Sequence, residues 1–264
     1  MSDEKDLNLD HLRDAEENNY QFLKELLGDS YNLLPELLRL YEVFIKLAVE
    51  PVFQLETISQ PPAILHLLQW LKNEAVAGAI TLMRGHIADS SNYSRRALEI
   101  SAFVLKMYHD ADSAASWMAS GRSKRAQNKY LAAFPAYKLV RELLPADLVD
   151  MYEDDCLSVH PSFAGVSSRA SLDPDMVHRF KFFDLDEADE KQTYFVLKFF
   201  QLCICHARIM NALAQTFASH ESFDSAQWQV ACTDYMHRLQ EKHSIWMPAF
   251  EALLAAEEGE TTIC

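Results

Sequence analysis

The stretch Asn92-Tyr93-Ser94-Arg95-Arg96-Ala97-Leu98-Glu99-Ile100-Ser101-Ala102-Phe103-Val104-Leu105-Lys106-Met107-Tyr108 reads as one apolar helix, and the rest of the chain is organised around it. Arg95 and Glu99 stand four residues apart, a spacing that stacks two side chains on neighbouring turns of one face. Extending the spacing gives Asn92, Arg95, Glu99, Lys106 and Asp110 as a polar stripe along an otherwise apolar rod, and the expectation is that this stripe faces solvent. The alternative is that the apolar residues around Glu99 draw the pair inside, where ionised groups persist only with partners and often mark a site.

Outward from this helix, composition predicts more helices. The chain has 264 residues, 49% of them hydrophobic, so it can bury a sizeable core. Only 6 Gly and 9 Pro are present, too few turn residues for a many-stranded fold. The periodicity predicts an all-α, mostly antiparallel multi-helix bundle, a single helical domain over 1–264. Its core helices fall within 61–110 and 187–256, with 159–185 as one long ordered loop and 1–8 and 257–264 frayed. A first helix over 10–27 ends at Gly28. Asp29 or Ser30 caps a second that reaches Val49 and weakens at Pro51. A third starts at Pro61 or Pro62 and reaches Ala88, and its small centre around Gly78 predicts close approach to another helix. Asp89-Ser90-Ser91 then caps the opening helix, and short helices follow over 110–120, 124–134, 136–144 and 146–154. Two long helices, 187–218 and 224–256, close the chain, the second kinked or broken at Pro248.

Charge narrows the partners. Acidic residues number 39 against 24 basic, a net charge of -15 that repels phosphate backbones and disfavours nucleic acid. Arg122-Ser123-Lys124-Arg125 with Lys129 is the only basic cluster and reads as a solvated helix start. Five scattered Cys fit reduced thiols in a cytoplasmic protein. No apolar run approaches the length that spans a bilayer, and the N-terminus has no apolar signal region, so no membrane partner is expected. A small molecule or a protein is the expected partner, with self-association through an apolar helix as one mode. No cofactor is expected, because no Gly-rich phosphate loop, nucleophile elbow or haem-attachment motif occurs.

Several polar residues are candidates for chemistry. His160, in Ser158-Val159-His160-Pro161, precedes a proline that biases it toward extended backbone and can aim its imidazole across the bundle mouth. The neighbouring acidic run Asp147, Asp150, Glu153, Asp154 and Asp155 lacks calcium-loop spacing. Cys203, Cys205 and His206 lack zinc-site spacing, and Cys203 and Cys205 point to different sides of a regular helix. No metal site is expected, and His206 is kept as a candidate ligand-binding residue that also reads as a core histidine. Arg84 and His86, 200° apart on a regular helix, are expected to serve different surfaces. Arg238 and His243 match the Arg-x4-6-His pattern of HEPN-type ribonucleases, a pattern that chance supplies about once in such a chain.

Arg95-Arg96-Ala97-Leu98-Glu99, followed by Tyr152 and Leu157-Ser158-Val159-His160-Pro161, resembles a group of uncharacterised all-helical bacterial proteins with an Arg-x-x-x-Glu helix and a Ser-x-x-His-Pro segment, loosely linked to HEPN-like bundles. The resemblance implies a bundle in which Arg95, Glu99 and His160 approach one another. It lacks the arginine that a HEPN active site would place just before His160. The leading expectation is a non-catalytic ligand-binding or protein-interaction module. The alternative is a HEPN-like ribonuclease or other hydrolase in which His160 is acid or base and Arg95 and Glu99 complete the catalytic group.

Overall fold

The computed structural model describes residues 9–55, 57–159, 170–172, 178–180 and 189–260, with side chains over 9–55, 57–157, 192–252 and at 255. The chain is an all-α bundle. Its helices are α1 (Leu9–Leu27), α2 (Leu33–Phe53), α3 (Gln60–Met83), α4 (Ile87–His109), α5 (Ala111–Ser120), α6 (Lys124–Ala133), α7 (Ala136–Leu143), α8 (Ala146–Val159), α9 (Asp189–Phe217) and α10 (Ser225–Glu260), with a 3-10 turn at Gly28–Asn32. The only strands among the described residues are β1 (Ala170–Leu172) and β2 (His178–Phe180), an antiparallel ribbon pairing Ala170 with Phe180. Most of the expected 159–185 loop lies outside the described residues.

The opening stretch is the hub. α4 packs against α3, α5, α7, α8 and α9. Ser94, Ala97, Leu98, Ser101, Val104 and Leu105 fill one broad arc of its surface, and Ile100, Ala102 and Met107 extend it. Each apolar side chain buried this way stabilises the fold by about 1.5–3 kcal/mol. A second concentration of apolar mass joins α2, α9 and α10, where Phe44 stacks on Phe217 and meets Trp228 edge-on.

Local chemistry explains where the boundaries depart from expectation. α3 stops at Met83 because Gly85 takes φ of 90°, a conformation that only glycine adopts freely. Gly85 N–H then donates to Leu82 O and His86 N–H to Thr81 O, the paired bonds of a Schellman ending. The antiparallel α4 begins at once, so Ser90 and Ser91 lie inside it and cap nothing. Asp29 and Ser30 cap nothing either, since Asn32 precedes α2 without a side-chain bond. α2 passes Pro51 before ending at Phe53, and α10 passes Pro248 and continues through the acidic run to Glu260. Asp110 does cap α5, accepting from the backbone N–H groups of Asp112 and Ser113.

The close approach expected at Gly78 is present. A Cβ there would lie 3.1 Å from Tyr93 Cβ and 3.2 Å from Leu202 Cδ1, so glycine lets α3 meet α4 and α9 at once. Contrary to the expectation that no run is long enough to span a bilayer, Gln192–Phe217 has the length and apolarity to do so, and 61% of its apolar window is buried inside the bundle.

Candidate functional site

The Arg95/Glu99 face of α4 is not the solvated stripe its spacing suggested. α7 and α8 pack along it, leaving both side chains 24% exposed, with Arg95 Nε 3.9 Å from Glu99 Oε1. Tyr152 on α8 donates its hydroxyl to Glu99 Oε1 at 3.1 Å. Burial, and then the Glu99 charge, hold that phenol well above its ordinary pKa, so it remains a donor. Arg95 Nε is buried and has no hydrogen-bond partner. A buried donor left without a hydrogen bond costs up to about 1–3 kcal/mol, a cost that the Glu99 charge 3.9 Å away offsets in part.

These residues wall an open crevice of about 640 Å³, within the range of small-molecule sites. Arg95 and Glu99 form its α4 wall, and Tyr152, Cys156 and Leu157 its α8 wall. α7 supplies Tyr137 and Arg141, the arginine held by Glu153 at 2.8 Å. Tyr137 and Leu157 are more than half exposed and give the rim a flat apolar surface.

Behind the crevice, one turn along α8, Asp155 faces the other way. Its carboxylate accepts from Ser91 and lies in the fields of Lys198, Asp154 and Arg95. Burial outweighs the attraction of the two cations and pushes its pKa up to about 6. Asp155 belongs to a second, smaller cavity of about 170 Å³ between α4, α8 and α9. Along the acidic run Asp147, Asp150, Glu153 and Asp154 are exposed, Asp147 pairing with Arg208 of α9 and Glu153 with Arg141, whereas Asp155 is half-buried.

The other candidates separate. His160 lies outside the described residues, as does its approach to Arg95 and Glu99; α8 ends at Val159, immediately before it. His206 is fully buried, with Nδ1 2.7 Å from the Tyr41 hydroxyl and Nε2 unpartnered, and lines neither cavity. Burial pushes its pKa down to about 3, so it is a neutral core histidine. Arg84 and His86 do not serve different surfaces. Both reach Glu16, at 3.5 and 3.2 Å, because they lie in the turn after α3, where helical angles do not apply. Arg238 is held by Glu36 and Asp234, whereas His243 sits against the Phe200 and Phe250 rings. The basic cluster at the start of α6 is exposed, with Ser123 as helix cap. No group of three metal-ligating side chains occurs among the described residues.

Sequence reasoning set Asp155 aside with the acidic run and missed Ser91, Lys198, Tyr137 and Arg141 as site residues. One signal was present: Lys198, Gln201 and Cys205 recur at helical spacing on α9, matching Ser91 and Ser94 on α4. The serines read as a cap because Asp-Ser-Ser precedes the apolar run. Comparison with protein-family models, curated proteins and solved structures finds no match to the chain.

Proposed function

We propose that the chain is a ligand-binding helical module whose outer crevice takes a small anionic ligand with a flat apolar part. The observation that carries this is Arg95 at the crevice wall, whose buried Nε has the Glu99 carboxylate 3.9 Å away but no hydrogen bond. Arginine offers five donors in a rigid fork suited to carboxylate or phosphate, and Glu99 is already engaged by Tyr152. Tyr137 and Leu157 supply a surface for the apolar part. A thermal-shift comparison of benzoate, inorganic phosphate and adenosine monophosphate tests it, because a ligand that binds only the native state raises apparent stability. At least one should raise the melting temperature of the wild type, and Arg95→Gln should weaken that ligand roughly tenfold or more, the loss expected for a charged hydrogen bond. A flat response to all of them discards the reading.

A second reading, a HEPN-like ribonuclease or other hydrolase, is favoured by Asp155. A carboxyl with a pKa near 6 beside Arg95 and Lys198 suits acid–base work near neutrality. The sequence resemblance adds His160 as the second acid–base group, with Arg95 and Glu99. The net charge of -15 opposes RNA. RNA cleavage by the wild type that falls in both Asp155→Asn and His160→Ala supports this reading. No cleavage, or equal cleavage by all three proteins, sinks it.

A further inference from the structure

The inner cavity has three walls set by helical spacing. Ser90, Ser91 and Ser94 come from α4, Met151, Asp154 and Asp155 from α8, and Lys198, Gln201, Leu202 and Cys205 from α9. Its volume of about 170 Å³ equals roughly six waters at ~30 Å³ each, room for a molecule of that order of heavy atoms. Carboxylates stand on the α8 side and the Lys198 ammonium and Gln201 amide on the α9 side, so the cavity carries both signs of charge across its width.

The serines bias one end further. Ser90 donates to Ile87 O, and Ser91 donates to the Asp155 carboxylate, so both hydroxyls have spent their protons and can only accept from a guest. That end suits a cationic donor. The Lys198 end suits an anion, and Met151 and Leu202 offer a small apolar surface between. A divalent cation fits poorly with an ammonium in the same small space.

We infer that this inner cavity is a separate binding site for a small zwitterion, an α-amino acid, with its ammonium at Asp155 and its carboxylate at Lys198 and Gln201. An ammonium there also restores to Asp155 the charge stabilisation that burial removes. The inner cavity shares no lining residue with the outer crevice, although the Arg95 charge also reaches Asp155.

The test uses glycine, L-alanine and L-serine as probes at millimolar concentration, with ethanolamine and lactate as half-ligands and glycerol as a neutral polyol, read by thermal shift and titration calorimetry. At least one amino acid should raise the melting temperature, and the half-ligands and glycerol should not. Lys198→Met should weaken the bound amino acid roughly tenfold or more, as loss of a charge-assisted hydrogen bond predicts, while Tyr137→Ala, on the rim of the outer crevice, leaves it unchanged. Protection by none of the amino acids, or equal protection by a half-ligand or glycerol, overturns the inference without recourse to any variant. Equal loss in Tyr137→Ala overturns it too, since the amino acid would then sit in the outer crevice.

Discussion

Asp155→Asn isolates the electrostatics on which the site depends. The half-buried carboxyl accepts from Ser91 and lies in the fields of Asp154, Arg95 and Lys198, and burial raises its pKa from 3.8 to about 6 despite the two cations. A group whose folded pKa is raised binds more protons folded than unfolded between those two values. Stability therefore falls as pH rises through the window of about 4 to 6, and the penalty is complete above it. A shift of about two units corresponds to roughly 3 kcal/mol, an upper figure for this position. Asparagine keeps the shape and the acceptor for Ser91 but carries no charge. Urea unfolding should find Asp155→Asn more stable than the wild type by up to about 3 kcal/mol near pH 8, with the difference closing near pH 3.5. A variant less stable than the wild type near pH 8 would mean that ion pairing with Lys198 and Arg95 dominates burial, and the account of the site would fail. A pH-independent difference would refute it equally.

Three further outcomes follow from the core. His206, depressed to about 3 by burial, takes up a proton on unfolding at any pH between that value and 6.5, so stability is full above 6.5 and is lost as pH falls; between pH 7 and pH 4.5 its share is about 3 kcal/mol. Unfolding of His206→Gln at those two pH values should show that much less acid sensitivity, and an unchanged slope refutes the assignment. Glu74 is buried and accepts two bonds from Arg96 and one from Trp70, so Arg96→Met strands a buried carboxylate; it should cost roughly 3 kcal/mol in chemical denaturation, and Glu74→Gln in the same background should recover much of it. Gly78→Val drives side-chain atoms into Tyr93 and Leu202 and should destabilise by about 1–3 kcal/mol, read as a lower urea midpoint at constant slope.

Much of the architecture was legible because helices announce themselves locally. The periodicity of 61–110, the helical stretch that follows from Asp110 and the Gly28 stop are short-range signals, and all correspond to elements of the bundle. Boundaries failed where a local signal had two readings. Asp89-Ser90-Ser91 looks like a cap, but Gly85 had already turned the chain, so the serines became the wall of a cavity. Arg84 and His86 diverge on a regular helix, yet the same glycine turn brings both to Glu16.

The sequence by itself determined that the chain is helical, that α4 is its apolar axis, and that Gly78 marks a close approach. Those properties follow from spacing within one segment and from the size of one residue. Only the tertiary structure decided the environment of the polar groups. Arg95 and Glu99 have the same helical spacing whether exposed or covered, and it was the packing of α7 and α8 that left them half-buried beside Tyr152. Asp155 and Lys198 lie 43 positions apart, and their interaction exists only because α8 and α9 meet against α4. Burial and charge pairing are sums over neighbours from distant segments, which no local pattern encodes.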